Sequence, residues 1–353
     1  MRVPFLDLAA ETQALRAELD AAVARTLDES RFVSGGAVGE FERAWAELCG
    51  AKHAVGVGSG TAALELALRA AGVTRGDEVI APANTCVPTI AAIEGTGATP
   101  VLVDADPRSW TLDDSRVDGV IGGRTRAIVP VHLYGRVATL RPRKGLTVIE
   151  DAAQAHGAAG VGTLGGAAAF SFYPTKNLGA LGDAGAVVTD DGGLARRVRR
   201  LASYGEDSRY HSIEAGTNSR LDTLQAAVLL AKLPHLPRWN ERRRELAARY
   251  DRSLAQLPLE LPQWDDSAVW HLYVVRVRDR DAFRRALEEQ GVGTAVHYAR
   301  AIHEHPAYRH LGGPSGFPVS EALAREVVSL PLHPLLTDAE QDAVVDAIAA
   351  WAR

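Results

Sequence analysis

The sequence predicts an α/β fold, a mostly parallel central sheet with helices on both faces, followed by a smaller C-terminal α+β domain. Two observations carry this. Short apolar runs alternate with helical patterns through the first part of the 353-residue chain, as expected of buried parallel strands joined by crossover helices. Beyond about residue 220 that alternation gives way to longer helical patterns around few strands.

Taken in order, strands are expected at 53–57 (HAVGV), 77–82 (DEVIAP), 100–104 (PVLVD), 127–132 (AIVPVH), 146–151 (LTVIED), 168–173 (AAFSFY) and 185–190 (GAVVTD). Helical patterns at 61–72 and 86–97 lie between several of them. Helices follow at 221–233 and 238–257, then a strand at 271–277, a helix at 280–291 and a closing helix after Thr337. The break at Pro234 to Pro237 divides a large domain, 1–235, from a small one, 236–353. The sequence leaves open whether residues 1–30 pack on the large or the small part.

Composition narrows the function. A 46% hydrophobic and 24% charged chain of this length is an ordinary globular mixture. A net charge of −5 offers no general basic surface for nucleic acid or anionic membrane. Cys49 and Cys86 are too few for a disulfide scaffold or a cysteine-based zinc site and suit a reducing compartment. With neither an apolar leader core nor an uninterrupted run of about 18 apolar residues, a cytoplasmic location is expected.

Only four of the 39 basic residues are lysine: Lys52, Lys144, Lys176 and Lys232. Arg stays protonated, whereas Lys can lose its proton and act as an amine nucleophile. Lys52 precedes a strand, Lys144 sits in the basic turn RPRKG, and Lys232 ends a helix ahead of Pro234. Lys176 differs, because the stretch from Asp151 to Asp183 holds no other charge except any carried by His156.

Ligands of open α/β sheets sit beyond the carboxyl ends of the strands. There, strand 53–57 runs into GSGTAALELAL, a glycine turn opening a helix, whose amides and dipole suit a phosphate. Gly56-x-Gly58-x-x-Thr61 narrowly misses the dinucleotide fingerprint. The next strand lacks the acid at its end that this motif requires, and no P-loop G-K-[ST] follows. One phosphate is favoured over two linked ones, with a purely structural cap as the competing reading. Strand 146–151 ends in Glu150 and Asp151, followed by Gln154 and His156. Asp151 is either a helix cap or a carboxylate facing a cation.

A lysine for a Schiff base, an aspartate to keep a ring nitrogen protonated and a helix start for a single phosphate together suit pyridoxal 5′-phosphate (PLP). Ser171 could help to hold that phosphate. No metal site is expected, since His303 and His305 flank Glu304 without an H-E-x-x-H pattern, and no G-x-S-x-G elbow marks a serine nucleophile.

On these residues and on several blocks in order, the chain resembles the DegT/DnrJ/StrS-type sugar aminotransferases. The blocks are PFLDL (4–8), FVSGG (32–36), SGTAALELAL (59–68), PVHLYG (130–135), EDAAQAHG (150–157), FSFYPTKNLGALGDAG (170–185), GTNSRLDTLQAAVL (216–229) and SLPLHPLLT (329–337). The resemblance covers nearly the whole chain and implies a fold type I PLP-dependent transferase. It gives Lys176 the Schiff base and the proton shuttle, Asp151 the pyridinium nitrogen and Gln154 the ring's oxygen side. Gly60, Thr61 and Ser171 would hold the phosphate. Asn218 would reach the cofactor of a neighbouring subunit, which implies a homodimer with shared sites. Arg220 is assigned to the donor or acceptor region or to bracing the interface. His132, Tyr134, His297 and Tyr298 are candidates for the sugar site, each equally readable as a packed core residue.

The implied reaction moves an amino group from L-glutamate to a keto group of a nucleotide-linked deoxy-sugar, at C3 in preference to C4. The alternatives are a cyclitol ketone acceptor, a PLP lyase and a PLP-binding regulatory protein. Lys rather than His at position 176 points to transamination and not dehydration. Two departures from the family pattern stand out. Cys86 occupies a position usually aromatic, where it is a wall residue with less stacking area over the cofactor. The segment RVATLRPRKG (136–145) is roughly ten residues shorter than the usual crossover, which includes a helix.

Overall fold

The computed structural model describes residues 2–162, 164–263, 267–313 and 315–353. Its N-terminal elements are α1 (Leu8–Ala14), α2 (Arg16–Glu29) and α3 (Gly36–Leu48). The sheet region runs β1 (His53–Val57), α4 (Gly60–Ala70), β2 (Glu78–Pro82), α5 (Val87–Gly95), β3 (Thr99–Val103), α6 (Asp114–Val117), β4 (Thr125–Ile128), β5 (Thr147–Asp151), β6 (Ala167–Ser171) and β7 (Gly185–Thr189). Then come α7 (Gly192–Leu201), the hairpin β8 (Glu206–Ser208) and β9 (His211–Ser212), α8 (Thr223–Lys232) and α9 (Leu236–Leu254). The chain finishes with β10 (Tyr273–Arg276), α10 (Arg280–Glu289), α11 (Pro318–Glu326), β11 (Val327–Leu330) and α12 (Asp338–Trp351).

The seven-stranded sheet has the order β1-β7-β6-β5-β4-β2-β3. β7 pairs antiparallel with both β1 and β6, and the remaining pairings are parallel. Five strands therefore deliver their carboxyl ends to one side together with β1, and β7 alone runs against them. β4 stops at Ile128, short of the expected 132, because Pro130 has no N–H to extend the ladder. The chain still tracks β5, with the His132 amide donating to the Asp151 carbonyl.

Helices cover both faces. On one, α4 and α7 pack with Val55, Val57, Val187 and Ala169 in the largest apolar cluster. On the other, Phe41 and Trp45 of α3 meet Phe170, Phe172 and Leu229. A further core joins α9, β10, α10, β11 and α12 through Leu246, Tyr250, Phe283, Val328 and Ile348.

The first 30 residues divide between the two parts. Val3 belongs to this last core and exchanges backbone hydrogen bonds with Gly291 and Gly293. Leu15 and Leu19 instead pack on Val228 of α8 and Trp239 of α9. Lys232 is buried there and pairs with Glu11 at 2.8 Å.

The short 136–145 connection contains no helix. Arg143 anchors it to Asp114 (2.7 Å) and Asp118 (2.6 Å), and Leu140 is buried beneath it. Among the described residues no helix is long and apolar enough to cross a membrane, and no His/Cys/Asp/Glu group is arranged to hold a metal ion.

Candidate active site

The carboxyl ends of β1, β5 and β6 and the start of α5 enclose a cavity of about 390 Å³. Its walls bring together Gly60, Thr61, Cys86, Asp151, Gln154, Ser171, Lys176 and Tyr298 from the sequence-derived set.

The phosphate-type turn is built by close packing. Ser59 caps α4, its Oγ accepting from the Ala62 amide at 3.2 Å. A side chain at Gly60 would place Cβ 2.4 Å from Ser171 Cβ, so only glycine lets the helix start lie against β6. The first amides of α4 and the Ser171 hydroxyl thereby share one corner of the cavity. A single phosphate is the group that such a corner, with a helix dipole behind it, is suited to hold.

Asp151 closes β5. Its Oδ1 accepts from the Ala153 amide at 3.2 Å, turning the chain instead of capping a helix, since none follows. Its Oδ2 accepts from Thr89 Oγ1 at 2.8 Å. Thr89 in turn lies 2.8 Å from Thr85 Oγ1. Because the Thr89 proton is committed to the carboxylate, Thr85 is the donor in that contact. Sequence reasoning missed both threonines. Thr89 lies one turn after Cys86 on α5, and that helical spacing was the available signal.

Lys176 sits at the apex of a tight loop. Its amide donates to the Tyr173 carbonyl at 2.9 Å, and Ala180 donates to Phe172 at 2.8 Å. Burial pushes the Lys176 ammonium below its usual range, while the Asp151 carboxylate and Cys86 oppose that shift. Tyr173, Thr175 and Asp183 also reach the cavity, and Tyr173 and Asp183 are exposed at its rim.

Gln154 is held from both sides, its Oε1 taking the Tyr134 amide at 2.6 Å and its Nε2 donating to Tyr298 Oη at 3.0 Å. Cys86 stands at the N-terminal end of α5 and lines the cavity together with Tyr298. Burial raises its thiol pKa, as suits a wall residue.

Other expected residues lie elsewhere. His132 and Tyr134, candidates for the sugar site, stand behind the wall with neither side chain lining the cavity. His132 is fully buried because it serves Glu150. Its Nδ1 accepts from the Ala138 amide at 3.0 Å, so its Nε2 carries the proton and donates to Glu150 Oε2 at 2.9 Å. Tyr134 donates its hydroxyl to the His297 carbonyl.

His297 lies beside Tyr298 but outside the wall, with Nδ1 2.8 Å from Ser329 Oγ and its ring against Phe5. Burial pushes its pKa down to about 4. Asn218 is exposed and bridges to Ser203, away from the cavity of its own chain. Arg220 is half-buried with its guanidinium 5.8 Å from the Tyr204 ring centroid. His303 is mostly covered and lies 3.0 Å from Glu321.

Residues 13–349 match the DegT/DnrJ/EryC1/StrS aminotransferase family. The chain is 48% identical over 365 residues to the dTDP-3-amino-3,4,6-trideoxy-alpha-D-glucose transaminase of Streptomyces venezuelae, across 99% of this chain and 96% of that one. The crystal structure of S. venezuelae DesV in complex with a ketimine intermediate matches with a TM-score of 0.97 at 48% identity, covering 100% of this chain and 99% of that one. NtdA from Bacillus subtilis with bound cofactor PMP matches with a TM-score of 0.95 at 32% identity, covering 99% and 85%. A lysine, a carboxylate and a phosphate cradle meeting in one cavity are the donor set that the cofactor of these enzymes needs. The chain therefore belongs to the DegT/DnrJ/EryC1/StrS aminotransferase family and is a PLP-dependent aminotransferase.

Proposed function

We propose that the protein transfers an amino group from L-glutamate to the C3 keto group of a dTDP-linked deoxyhexose, working as a homodimer in the cytoplasm. The observation that carries the reaction is the convergence of Lys176, Asp151 and the Gly60–Ser171 corner on a single cavity. The acceptor follows from the 48% identity to a transaminase named for a dTDP-3-amino-trideoxyglucose.

When bound, PLP supplies an electron sink for the carbon that carries the transferred nitrogen. The protein does the rest. The α4 amides, Thr61 and Ser171 would hold the phosphate, and Asp151, oriented by Thr89, would keep the ring nitrogen protonated. Gln154 would meet the ring's oxygen side. Lys176 Nζ, with its proton loosened by burial, takes the proton from the donor Cα and returns it at the acceptor carbon. Cys86 and Tyr298 wall the cavity against bulk water. Asn218 and Arg220, outside the cavity of their own chain, would serve or brace a neighbouring one. Exposed Phe32, Val33, Tyr204 and Tyr210 are apolar surface available for such a contact.

The test is the absorbance of the protein with PLP, before and after L-glutamate, followed by addition of a dTDP-3-keto-deoxyhexose. A visible band that glutamate bleaches, that the keto-sugar restores and that Lys176→Ala never forms is the expected result. A band indifferent to glutamate would favour a lyase or a regulatory protein, and restoration only by a cyclitol ketone would replace the sugar acceptor. A monomer by sedimentation would remove the shared site.

A further inference from the structure

Beside the cavity, a chain of buried hydrogen bonds links segments distant in sequence. It passes through Asn177, the residue next to Lys176. His271 Nδ1 lies 3.0 Å from Asn177 Oδ1. Asn177 Nδ2 donates to Asn240 Oδ1 at 2.9 Å and to the Val269 carbonyl at 3.1 Å. Asn240 Nδ2 donates to the His156 carbonyl at 2.8 Å. The Leu178 amide then donates to His156 Nδ1 at 3.1 Å. The Val269 carbonyl can only accept, which fixes the Asn177 amide with its NH₂ towards α9. The Asn177 oxygen then faces His271, which must be the donor there.

Asn177, Asn240 and His271 are each at most 7% exposed. The Asn177 amide therefore uses both of its protons and one lone pair, leaving no slack in its orientation. Around it the 173–180 loop is tightly folded on itself. A Cβ on Gly179 would lie 2.3 Å from the Pro174 carbonyl oxygen. The network ties four segments together: the lysine loop, α9 and the 269–271 approach to β10 meet at Asn177, and the turn after Asp151 joins them through the bonds of His156 to Asn240 and Leu178.

We propose that Asn177, held by His271 and Asn240, is a positioning residue that fixes Lys176 Nζ in the cavity. The proposal rests on Lys176 being the lysine that joins PLP. With Asn177 and Leu178 both pinned downward, the side chain between Thr175 and Asn177 is left to enter the cavity. The lysine loop and the Asp151 turn are registered to each other through His156. Releasing the loop would let Lys176 swing towards water, weakening the burial that sets its protonation. The titratable groups acting on the lysine are Asp151 and Cys86, which favour its charge, while its own charge bears on His156, His271 and His297.

The experiment uses the PLP-loaded full-length protein and reads the pH at which its visible band titrates, beside kcat and KM. Asn177→Ala is expected to move the midpoint by about half a pH unit or more. It should also cut kcat roughly 10- to 100-fold, the scale of a displaced reacting group, with the KM values little changed. His271→Asn, whose side-chain amide can place an N–H where Nδ1 donates to Asn177, should stay near the parent, whereas His271→Leu should move the midpoint in the same direction as Asn177→Ala. This pair carries the test if Asn177→Ala does not fold. An unmoved midpoint and unchanged kcat in Asn177→Ala or His271→Leu, with only the melting temperature lowered, would overturn the proposal. A visible band that survives in Lys176→Ala would instead show that Lys176 is the wrong lysine, independently of Asn177.

Discussion

Thr89 Oγ1 donates to Asp151 Oδ2 at 2.8 Å, and Thr85 Oγ1 supports it from 2.8 Å on the other side. Two hydroxyls from the start of α5 thus orient a carboxylate at the end of β5. A hydrogen bond to a charged group is worth about 1.5–3 kcal/mol.

Removing that hydroxyl at constant volume isolates it. Thr89→Val is expected to lower kcat roughly 10- to 100-fold, while Thr89→Ser stays close to the parent. Steady-state transamination kinetics check this. Equal losses in both variants would assign the effect to packing of the methyl group and not to the hydrogen bond.

Gly60→Ala places a methyl 2.4 Å from Ser171 Cβ. The start of α4 must then move off β6, and overpacking of this kind costs about 1–3 kcal/mol. PLP should bind more weakly, because the displaced amides belong to the phosphate corner. Equilibrium titration of the visible band with PLP measures it, and an unchanged affinity would place the phosphate elsewhere.

His132→Ala decides between the sugar site and the core for that residue. Glu150 would keep the amides of Gly162 (2.8 Å) and Leu164 (3.0 Å) but lose its imidazole donor. A loss of about 3 kcal/mol in unfolding free energy is expected, from the lost charged hydrogen bond and the void together. The KM for the keto-sugar should hold. A selective rise in that KM with unaltered stability would return His132 to the substrate.

Acid should destabilise the protein before most carboxylates titrate. Burial pushes His156 down to about 3 and His297 and His333 to about 4, from an ordinary 6.5. Folded-state values below the unfolded ones mean that the unfolded chain binds more protons as pH falls through 6.5, so stability drops with falling pH. It is lost progressively towards pH 4. Each histidine contributes a limiting slope of about 1.4 kcal/mol per pH unit. Urea unfolding from pH 7 to pH 5 should show the decline, and His333→Gln should make it shallower. A flat profile would mean that these rings do not stay neutral.

Much of this protein is local in sequence. The alternation of apolar strands and helices is enough to specify the α/β class, because a strand buried on both faces must be apolar along its length. Lys176 stood out through the uncharged stretch around it, and Gly60 and Asp151 through their places at strand ends. These signals need only the nearest residues and the direction of the chain.

The rest depends on residues far apart in the chain. The antiparallel placement of β7 between β1 and β6 cannot be read from an apolar run, which looks the same in either direction. Thr89 acquires its role only because α5 carries it to an aspartate 62 residues away. His132 read equally as a sugar contact or a core residue in sequence, and Glu150, 18 residues on, is what holds it in the core. Asn177 and His271, 94 residues apart, meet only after the C-terminal part packs beneath the lysine loop. Burial, and the partners that burial demands, are properties of the folded whole: a hydrogen bond between distant segments has no signature in either segment alone.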